Sequence, residues 1–481
     1  MNQECKKMKA EKRIESDSIG SMGVPAAAYY GIQSLRAMYN FPITGLPLNP
    51  SFITNLARIK KAAAYANHES GVLAAEKTDA IVKACDEVID GSFRGEFIVD
   101  AIQGGAGTSA NMNINEVIAN RADELMGGKR GTYTFIHPND DVNKSQSTND
   151  VVPTAGKLTV LTLLAPLETE LLRLEKALAA KAVEFAGIIK MGRTQLQDAV
   201  PMTLGQSFGA YKSMIRRCRE QIEDIKKELY QVNLGGTAIG NALNAPETYE
   251  QRVVPTLARI TGYPLEQAEN LFDATQNIDG FAAVSSVLKV CAVDLSKMCN
   301  DLRLLSSGPR AGFNEIRLPA MQNGSSIMPG KVNPVIPEVV SQVAFGVIGN
   351  DTAICMAAEA GQMELNAFEP VVFYKLFESI TTLTGAVKTL TDNCITGITV
   401  NKEQCNTFVE RSIGIATALC PYIGYRKSAE IAKRALAENI SVRELVLKEN
   451  LLKESQLDTI LNPNIMVQDS DGKGKVCCKT A

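Results

Sequence analysis

Apolar residues in the middle of the chain recur at alternating steps of three and four. The first run covers positions 160, 164, 167, 171, 174 and 178, and others cover residues 204–232, 288–305 and 373–394. A further helix is expected to start near Pro337 and to continue toward Gly361. Such spacing is typical of helices packed at shallow angles, so we predict an all-α protein with a central five-helix bundle. Pro166 predicts a kink in the first helix or its true start.

The chain divides into three segments by pattern. Before Pro138 and after about Val400, the apolar runs are shorter and turn-rich. We predict a mostly helical N-terminal domain (residues 1–145), the long-helix bundle (146–400) and a small helical C-terminal domain (401–481). This number of domains suits a chain of 481 residues. A bundle of this kind has more apolar faces than one chain can cover, so oligomerisation is expected. A monomeric helical protein with merely long helices is the alternative.

Composition excludes several classes of protein. The net charge is −3, with 45% hydrophobic and 21% charged residues, and no basic stripe for nucleic acid is present. The first twenty residues are charged, which argues against a signal peptide or an anchor. We find no window approaching the ~20 apolar residues of a membrane span. We therefore expect a soluble cytoplasmic protein that binds neither nucleic acid nor membrane.

Cysteine and histidine usage argues against metal chemistry. The eleven cysteines lie mostly singly among apolar residues, as reduced core side chains do. No CxxC, HExxH or paired metal-ligand spacing occurs, and the chain has two histidines, His68 and His137. A structural zinc site or a Ser-His-Asp triad is therefore poorly supported.

Four polar segments interrupt the apolar periodicity. They read GGAGTSANMNINE (104–116), HPNDDVNKSQSTND (137–150), MGRTQLQDAVP (191–201) and GSSIMPGKVNPVIPE (324–338). Glycine turns and helix starts expose backbone N–H groups, which, together with hydroxyls and amides, bind anionic oxygens. The first three also have purely structural interpretations. GGAG matches part of a dinucleotide fingerprint but lacks a βαβ unit, QSTND suits a helix N-cap, GRTQLQDAVP suits a turn before Pro201, and His137 suits a surface turn.

The segment 324–338 is harder to explain structurally. Its prolines stiffen the backbone, Gly324 and Gly330 permit close approach, and two serines lie near the cation of Lys331. A rigid loop that holds a basic oxygen beside anion donors is what carbanion chemistry requires.

At this point the sequence resembles the fumarase/aspartase superfamily, whose signature GSSxMPxKxNP is matched in full by GSSIMPGKVNP. The resemblance extends from YYGIQSLRAMYNFPITG to the C-terminal segment. Gln195, where class II fumarases carry histidine, and NPVIPE in place of NPTQxE favour the aspartase branch, whereas HPNDDVNKSQS resembles the fumarase version of its loop. A class II fumarase is therefore the alternative. A structural, lens-crystallin-like protein on the same scaffold is a further one, which the intact catalytic loops disfavour.

The resemblance implies reversible anti elimination of ammonia from L-aspartate to give fumarate, through an aci-carboxylate. It makes Ser325 the base that removes the Cβ proton. The remaining roles are carried over by position: Thr108, Ser147, Thr148 and the N–H of Ser326 for the β-carboxylate; Thr194, Lys331 and Asn333 for the α-carboxylate; Asn149 and Gln195 for the ammonium group; Glu338 in support.

The resemblance also implies a homotetramer in which loops from three subunits build each site. It implies no required cofactor and no metal in the site, and leaves open activation by a divalent cation such as Mg²⁺. It likewise leaves open whether His137 belongs to a second anion site.

Overall fold

The chain folds into two compact units, each assembled from three separate stretches. The computed structural model describes residues 11–462 and 467. One unit comprises Met1–Glu168, Glu220–Ala292 and Val343–Thr384; the other comprises Thr169–Arg219, Val293–Gln342 and Gly385–Ala481. The division into three domains near residues 145 and 400 stays a prediction.

Helices dominate the described residues. The α-helices are α1 (Ile32–Asn40), α2 (Pro50–Glu69), α3 (Ala75–Ile89), α4 (Thr108–Leu125), α5 (Thr148–Glu184), α6 (Leu204–Ile225), α7 (Lys227–Tyr230), α8 (Glu247–Thr261), α9 (Leu271–Gln276), α10 (Asp279–Leu305), α11 (Val335–Glu359), α12 (Glu369–Asn393), α13 (Lys402–Arg411), α14 (Cys420–Ile423), α15 (Tyr425–Glu438), α16 (Val442–Lys448) and α17 (Glu454–Ile460). Short segments of tighter or wider helix cover Arg94–Glu96, Pro138–Val142, Ile395–Gly397 and Ile413–Leu419.

Within residues 11–462, eight short strands form four two-stranded sheets. The strands are β1 (Lys12–Asp17), β2 (Gly20–Pro25), β3 (Ile189–Thr194), β4 (Gln197–Thr203), β5 (Gln231–Val232), β6 (Glu266–Gln267), β7 (Ile316–Arg317) and β8 (Thr399–Val400). The pairs β1–β2, β3–β4 and β7–β8 are antiparallel, and β5–β6 is parallel. The predicted all-α class is confirmed, since these strands are few and short.

The five predicted long helices are α5, α6, α10, α11 and α12. Each begins in one unit and ends in the other. Two details of the prediction are wrong. The second apolar run does not form one helix, because α6 ends at Ile225 and Val232 lies in β5. Pro166 does not start α5, which begins at Thr148, and it lies exposed inside the helix; the alternative, a kink at Pro166, stays a prediction.

In the first unit, α5, α10, α11 and α12 pack through aromatic and ionic contacts. The rings of Phe281 and Phe373 lie 5.1 Å apart, joining α10 to α12. A Cβ on Gly156 of α5 would lie 2.3 Å from the Phe373 ring, so this glycine allows the close approach. The Asp351 carboxylate on α11 accepts bonds from Ser285 (2.8 Å) and Lys289 (2.6 Å) on α10.

The second unit contains the C-terminal helices α13–α17 and the hairpin β3–β4. Buried Leu419, Ile431 and Leu445 belong to one apolar cluster that includes Met191 of β3. The hairpin is further tied down at Asp198, whose carboxylate accepts the Ser412 hydroxyl at 2.7 Å. The hairpin therefore has a fixed base within this unit.

Two described helices, α5 and α11, are long and apolar enough to cross a membrane by length and composition, contrary to our sequence expectation. In α5, 72% of the most apolar window is buried, as in the core helix of a soluble protein. In α11 the buried share is 33%. The exposed apolar side of α11 includes Phe345 and Met356.

Most of the described cysteines follow the sequence expectation, although Cys355 is exposed and Cys420 is half-buried. Six are buried: Cys85, Cys218, Cys291, Cys299, Cys394 and Cys405. Burial raises the pKa of the Cys85 and Cys299 thiols well above the ordinary value. Thiols of this kind are unreactive core side chains.

Candidate functional site

The predicted residues of the first unit lie at the starts of two helices. Thr108 is the first residue of α4, and Thr148 is the first of α5. The two helix starts lie side by side, because Asn111 Nδ2 donates to Thr148 Oγ1 at 3.2 Å. A Cβ on Gly107 would lie 2.7 Å from Val152, so only glycine fits between them. Two helix N-termini that converge favour an anion.

Hydrogen bonds orient the polar groups at the start of α5. The Thr148 and Ser147 hydroxyl oxygens act as acceptors, from Asn111 Nδ2 and from the Asn149 N–H (3.2 Å), so their protons can serve a carboxylate. Asn149 Nδ2 donates to the Ala238 carbonyl at 2.7 Å. The anchored Nδ2 leaves Asn149 Oδ1 as the atom that can accept from an ammonium group.

The Thr108 hydroxyl is used differently. It is exposed, and it donates to the Gly105 carbonyl at 2.7 Å. To donate to a carboxylate it would have to leave that carbonyl, so in this structure Thr108 closes its own glycine turn.

Buried carboxylates support the starts of α5 and α1. Asp150 accepts the N–H groups of Ser147 (2.9 Å), Gly235 (3.1 Å) and Thr237 (3.2 Å). Burial raises the pKa of Asp150 to about 6, against the lowering effect of those bonds and of Lys60. Glu116 on α4 accepts the N–H groups of Gly31 and Gln33, each at 2.8 Å, at the start of α1. Burial raises its pKa to about 6 as well.

In the second unit, Thr194 and Gln195 lie at the tip of the β3–β4 hairpin. Thr194 pairs with Gln197, so Gln195 and Leu196 form a two-residue turn. Their φ angles are +52° and +64°, in the left-handed region that glycine or asparagine normally occupies in such turns. The sequence reading of this segment as a turn before a helix is therefore wrong: it is a strained hairpin. Strain at a ligand-facing position is common at functional sites.

Arg193 fixes the hairpin just before its tip. Its guanidinium donates to Glu315 Oε2 at 2.7 Å and lies 4.2 Å from the ring centre of Phe313 and 5.3 Å from that of Phe408. Glu315 is fully buried. A paired guanidinium between two rings is held in one orientation, which limits the movement of Thr194 beside it.

Ser325, Ser326, Lys331 and Asn333 share one closed loop before α11. Asn333 Nδ2 donates to the Gly324 carbonyl at 2.8 Å and joins the two ends of the loop. A Cβ on Gly324 would lie 2.1 Å from the Lys331 carbonyl oxygen, so this position requires glycine. The Lys331 and Ser326 side chains are exposed.

The oxygen of Ser325 lies among backbone donors. Ser325 Oγ accepts the N–H groups of Ile327 at 3.2 Å and Met328 at 3.0 Å. Donors aimed at an oxygen favour its anionic form. Glu338, on the first turn of α11, lies apart from this arrangement and is 4.0 Å from the Arg303 guanidinium.

His137 caps the wide helical turn Pro138–Val142. Its Nδ1 accepts the N–H groups of Asn139 (3.3 Å) and Asp140 (3.2 Å). A cavity of about 570 Å³ is lined by His137, Arg36 and Tyr133. The structural reading of His137 as a turn residue therefore has direct geometric support, and its role in a second anion site stays a prediction.

Within the part of the chain that the structure describes, no group of three or more His, Cys, Asp or Glu side chains could hold a metal ion. The expectations about cofactors and an activating cation stay predictions.

Comparison with known proteins identifies the family to which this chain belongs. Residues 20–349 match a family described as lyase, and residues 415–468 match the fumarase C C-terminus. The chain belongs to this lyase family. Lyases named aspartate ammonia-lyase are 54% identical in a Bacillus species and 55% identical in Pseudomonas aeruginosa; each match covers 95% of this chain and 97% of the relative. The predicted resemblance to the aspartase branch, and with it a carbon–nitrogen lyase, is confirmed.

Solved lyase structures agree with the fold. A Brucella melitensis protein described as fumarate lyase:delta crystallin bound to cobalt has a TM-score of 0.93 at 50% identity, and covers 95% of this chain and 100% of its own. A class II fumarase from Schistosoma mansoni has a TM-score of 0.92 at 35% identity, covering 95% and 99%. The helical-bundle fold of the lyase family is thereby shown for this chain.

Sequence reasoning missed the polar residues that support the candidate residues within each unit. Asn111, Asn143 and Asp150 lie within the polar segments, but no role was assigned to them. Lys60 and Glu315 lie outside those segments. A signal for Lys60 existed: it lies between the buried Leu56 and Ala63, on the apolar stripe of α2.

Proposed function

We propose that the protein is an aspartate ammonia-lyase that eliminates ammonia from L-aspartate to give fumarate, reversibly. The observation that carries the proposal is the full-length identity of 54–55% to relatives of that name. Gln195 at the hairpin tip is consistent with it, since the resemblance assigns histidine there to class II fumarases.

Ser325 removes the Cβ proton as an alkoxide. An ordinary serine hydroxyl is too weak an acid for this, and the N–H groups of Ile327 and Met328 on its oxygen support a lowered pKa. The bond from Asn333 to Gly324 keeps the loop in the shape that supplies these donors. The product of proton removal is the aci-carboxylate dianion.

The β-carboxylate, where negative charge develops, is held by the hydroxyls of Ser147 and Thr148, the N–H of Ser326 and, once it leaves Gly105, the hydroxyl of Thr108. The paired starts of α4 and α5 add positive potential at the same position. Removal of one such donor in other enzymes lowers kcat by about 10²- to 10³-fold.

Lys331, Thr194 and Asn333 hold the α-carboxylate, and Asn149 with Gln195 orients the ammonium group. The bond from Asn149 Nδ2 to Ala238 supports this role, because it presents the acceptor oxygen to the cation. Glu338 supports the loop from α11. The Glu338 carboxylate lies 4.0 Å from the Arg303 guanidinium, and Glu338 acts on the substrate indirectly.

The protein acts as a homotetramer whose sites combine loops from different subunits. Helix α11 supports this, because Phe345 and Met356 are 64% and 68% exposed in the single chain although the helix is among the most apolar. Burying such side chains against further copies of the bundle removes apolar area from water. No nucleic acid or membrane takes part.

A class II fumarase is the second candidate. Its support is the fumarase-like HPNDDVNKSQS segment, which forms the His137-capped turn, together with the fumarase structure at 35% identity. A hydratase needs an acid–base group near Gln195, and the resemblance supplies none there.

The test measures the ultraviolet absorbance of fumarate formed by purified protein from L-aspartate or from L-malate. We expect a rise with L-aspartate alone. A rise with L-malate alone would replace the lyase proposal by the hydratase, and flat traces with both would favour a structural protein on the same scaffold.

The proposed reaction requires no cofactor. The same assay after chelation, with and without added Mg²⁺, measures activation by a divalent cation. Loss of all activity on chelation would contradict the proposal that no cofactor is required.

A further inference from the structure

Lys60 is a buried cation that the proposed reaction does not yet use. It lies on α2 and is 0% exposed. Burying an ammonium group costs several kcal/mol unless it is well paired. A lysine in this position therefore calls for a reason other than packing.

The Lys60 ammonium holds the segment that leads into α5. Its Nζ donates to Asn143 Oδ1 at 2.8 Å and to Gln146 Oε1 at 3.0 Å. Gln146 is itself anchored, because its Nε2 donates to the carbonyls of Val142 and Lys144, each at 3.0 Å. Asn143 and Gln146 come just before Ser147, so Lys60 holds in place the residues that lead into α5.

A single amide oxygen connects Lys60 to α4 and to Thr148. Asn143 Oδ1 accepts from Lys60 and also from the Nδ2 groups of Asn111 and Asn115, each at 3.2 Å. Asn111 Nδ2 also donates to Thr148 Oγ1 at 3.2 Å. Three donors on one oxygen fix the orientation of the Asn143 amide. Asn111, which is bonded to that oxygen, in turn orients the Thr148 hydroxyl through its own bond.

Within the described part of the chain, the side-chain oxygens of Asn111 and Asn115 lack hydrogen bonds while their Nδ2 groups bond to Asn143. Among the described residues, Asn111 Oδ1 and Asn115 Oδ1 are buried without a hydrogen-bond partner. Leaving an acceptor unpartnered costs about 1–3 kcal/mol. Both amides direct Nδ2 to Asn143 at this cost, which is consistent with strong polarisation of Asn143 by the Lys60 cation.

We propose that Lys60 is a positioning residue that, through Asn143 and Asn111, orients Thr148 and adds positive potential behind the two helix starts that receive the β-carboxylate. The inference rests on the proposed function, since it assigns the carboxylate to that position. Its Coulomb partner is the buried Asp150, while burial lowers the pKa of Lys60 to about 7. The Cys85 thiol is the other titratable group facing it.

The experiment compares binding of succinate, an unreactive four-carbon dicarboxylate, by calorimetry. Lys60→Met removes the charge and keeps an unbranched side chain that is one atom shorter. Lys61→Met is the matched control, because Lys61 is the next residue and pairs with Asp86 at 2.6 Å. We expect Lys60→Met to weaken succinate binding about tenfold or more, as loss of bonds to a charged group does. Lys61→Met should bind as the wild type does.

A second variant covers a failure of Lys60→Met to fold. Asn143→Ala keeps the Lys60 cation and removes the shared oxygen, and we expect it to weaken succinate binding as well. The fraction of folded protein is measured by circular dichroism and used to correct each titration. A rise in KM for the turned-over substrate larger than the fall in kcat is the expected kinetic signature.

The outcomes separate the two claims. Failure of the wild type to bind succinate would contradict the proposed function. Succinate binding in the wild type that persists unchanged in folded Lys60→Met or Asn143→Ala would overturn the role of Lys60 alone. If the wild type turns over L-malate in place of L-aspartate, the role of Lys60 is still tested by the same titration, because the succinate probe does not depend on turnover.

Discussion

Individual polar atoms determine what each candidate residue can do. Ser325 presents an oxygen already bonded to two N–H groups, whereas Ser326 contributes through its backbone. The side chains of these neighbouring serines are therefore expected to differ sharply in their effect on turnover, although both belong to one loop and one motif.

Replacing Ser325 with alanine should lower kcat by about 10²- to 10⁴-fold, the usual contribution of a positioned proton acceptor. The fold should persist, because the loop lies outside the apolar cores. Steady-state fumarate formation measures the effect. Ser326→Ala keeps the backbone N–H and should retain most of the activity. A Ser325→Ala enzyme with near wild-type kcat would remove Ser325 from the role of base.

Asp150 makes stability depend on pH. Its pKa in the folded protein, about 6, lies above the ordinary value of 3.8. The folded state thus holds a proton that the unfolded state releases, and the resulting stabilisation is present below pH 3.8 and lost as the pH rises to 6. Lys60 and Tyr249 are the other titratable groups that face Asp150.

We expect the stability advantage of the wild type over Asp150→Asn to shrink between pH 4 and pH 5.5, by about 2 kcal/mol at most. Urea unfolding at the two pH values measures it. Asp86→Asn serves as a control, since Asp86 is partly exposed and pairs with Lys61. An advantage that grows with pH would show that Asp150 is charged throughout this window.

Residue identities were predictable from the sequence wherever a motif carried them. The closed GSS loop and the start of α5 are where the pattern indicates a polar site, yet the residues beneath them were not foreseen. Lys60 reads as an ordinary helix lysine unless its position on the apolar stripe is checked. Glu315 gives no signal, because its partner Arg193 is more than a hundred residues away in the chain.

Among the elements, the β3–β4 hairpin shows the clearest conflict between local preference and fold. A two-residue turn favours asparagine or glycine, and this one contains Gln195 and Leu196. Leu196 is also 64% exposed, so it contributes little burial in the single chain. Propensity alone could not predict this hairpin, because the base of the strands, packed on the C-terminal helices, imposes it.

Leu196→Gly should stabilise the single-chain fold by about 1 kcal/mol, because glycine adopts the left-handed backbone without strain. Thermal unfolding measures the change. Val200→Gly is the control: Val200 is 50% exposed but lies in β4, where glycine should destabilise. Destabilisation by Leu196→Gly would mean that Leu196 is buried against another subunit.

For the whole molecule, the exposed apolar side chains of α11 are the feature that supports assembly of several chains. The exposed apolar side chains Phe345 and Met356 form the kind of surface that usually contacts another protein. The long helices themselves were predicted from the spacing of apolar residues, whereas the proposed assembly is inferred from the apolar surface of α11 that stays exposed in the single chain.

We expect Phe345→Glu to dissociate the assembly and abolish activity, as measured by sedimentation velocity and turnover. Leu436→Glu is the control, since Leu436 is 70% exposed on α15 and outside the bundle. An active monomer would contradict sites shared between subunits.

Mixing two inactive variants tests sharing directly. Ser325→Ala and Thr148→Val are to be unfolded together and refolded as mixed assemblies. Activity should return if Ser325 and Thr148 of one site come from different chains, because some sites then contain both intact residues. No recovery in mixed assemblies would place both residues of each site on one chain.

The interleaved order of the two units has a consequence for biosynthesis. The first unit ends its first stretch at Glu168 and receives its last only at Thr384. At 5–20 residues per second, the ribosome needs roughly 10 to 40 s to bridge that interval. The apolar faces of α2 and α5 that contact Phe373 of α12 therefore stay uncovered while the nascent chain is still attached, and they are the surfaces on which a chaperone would act.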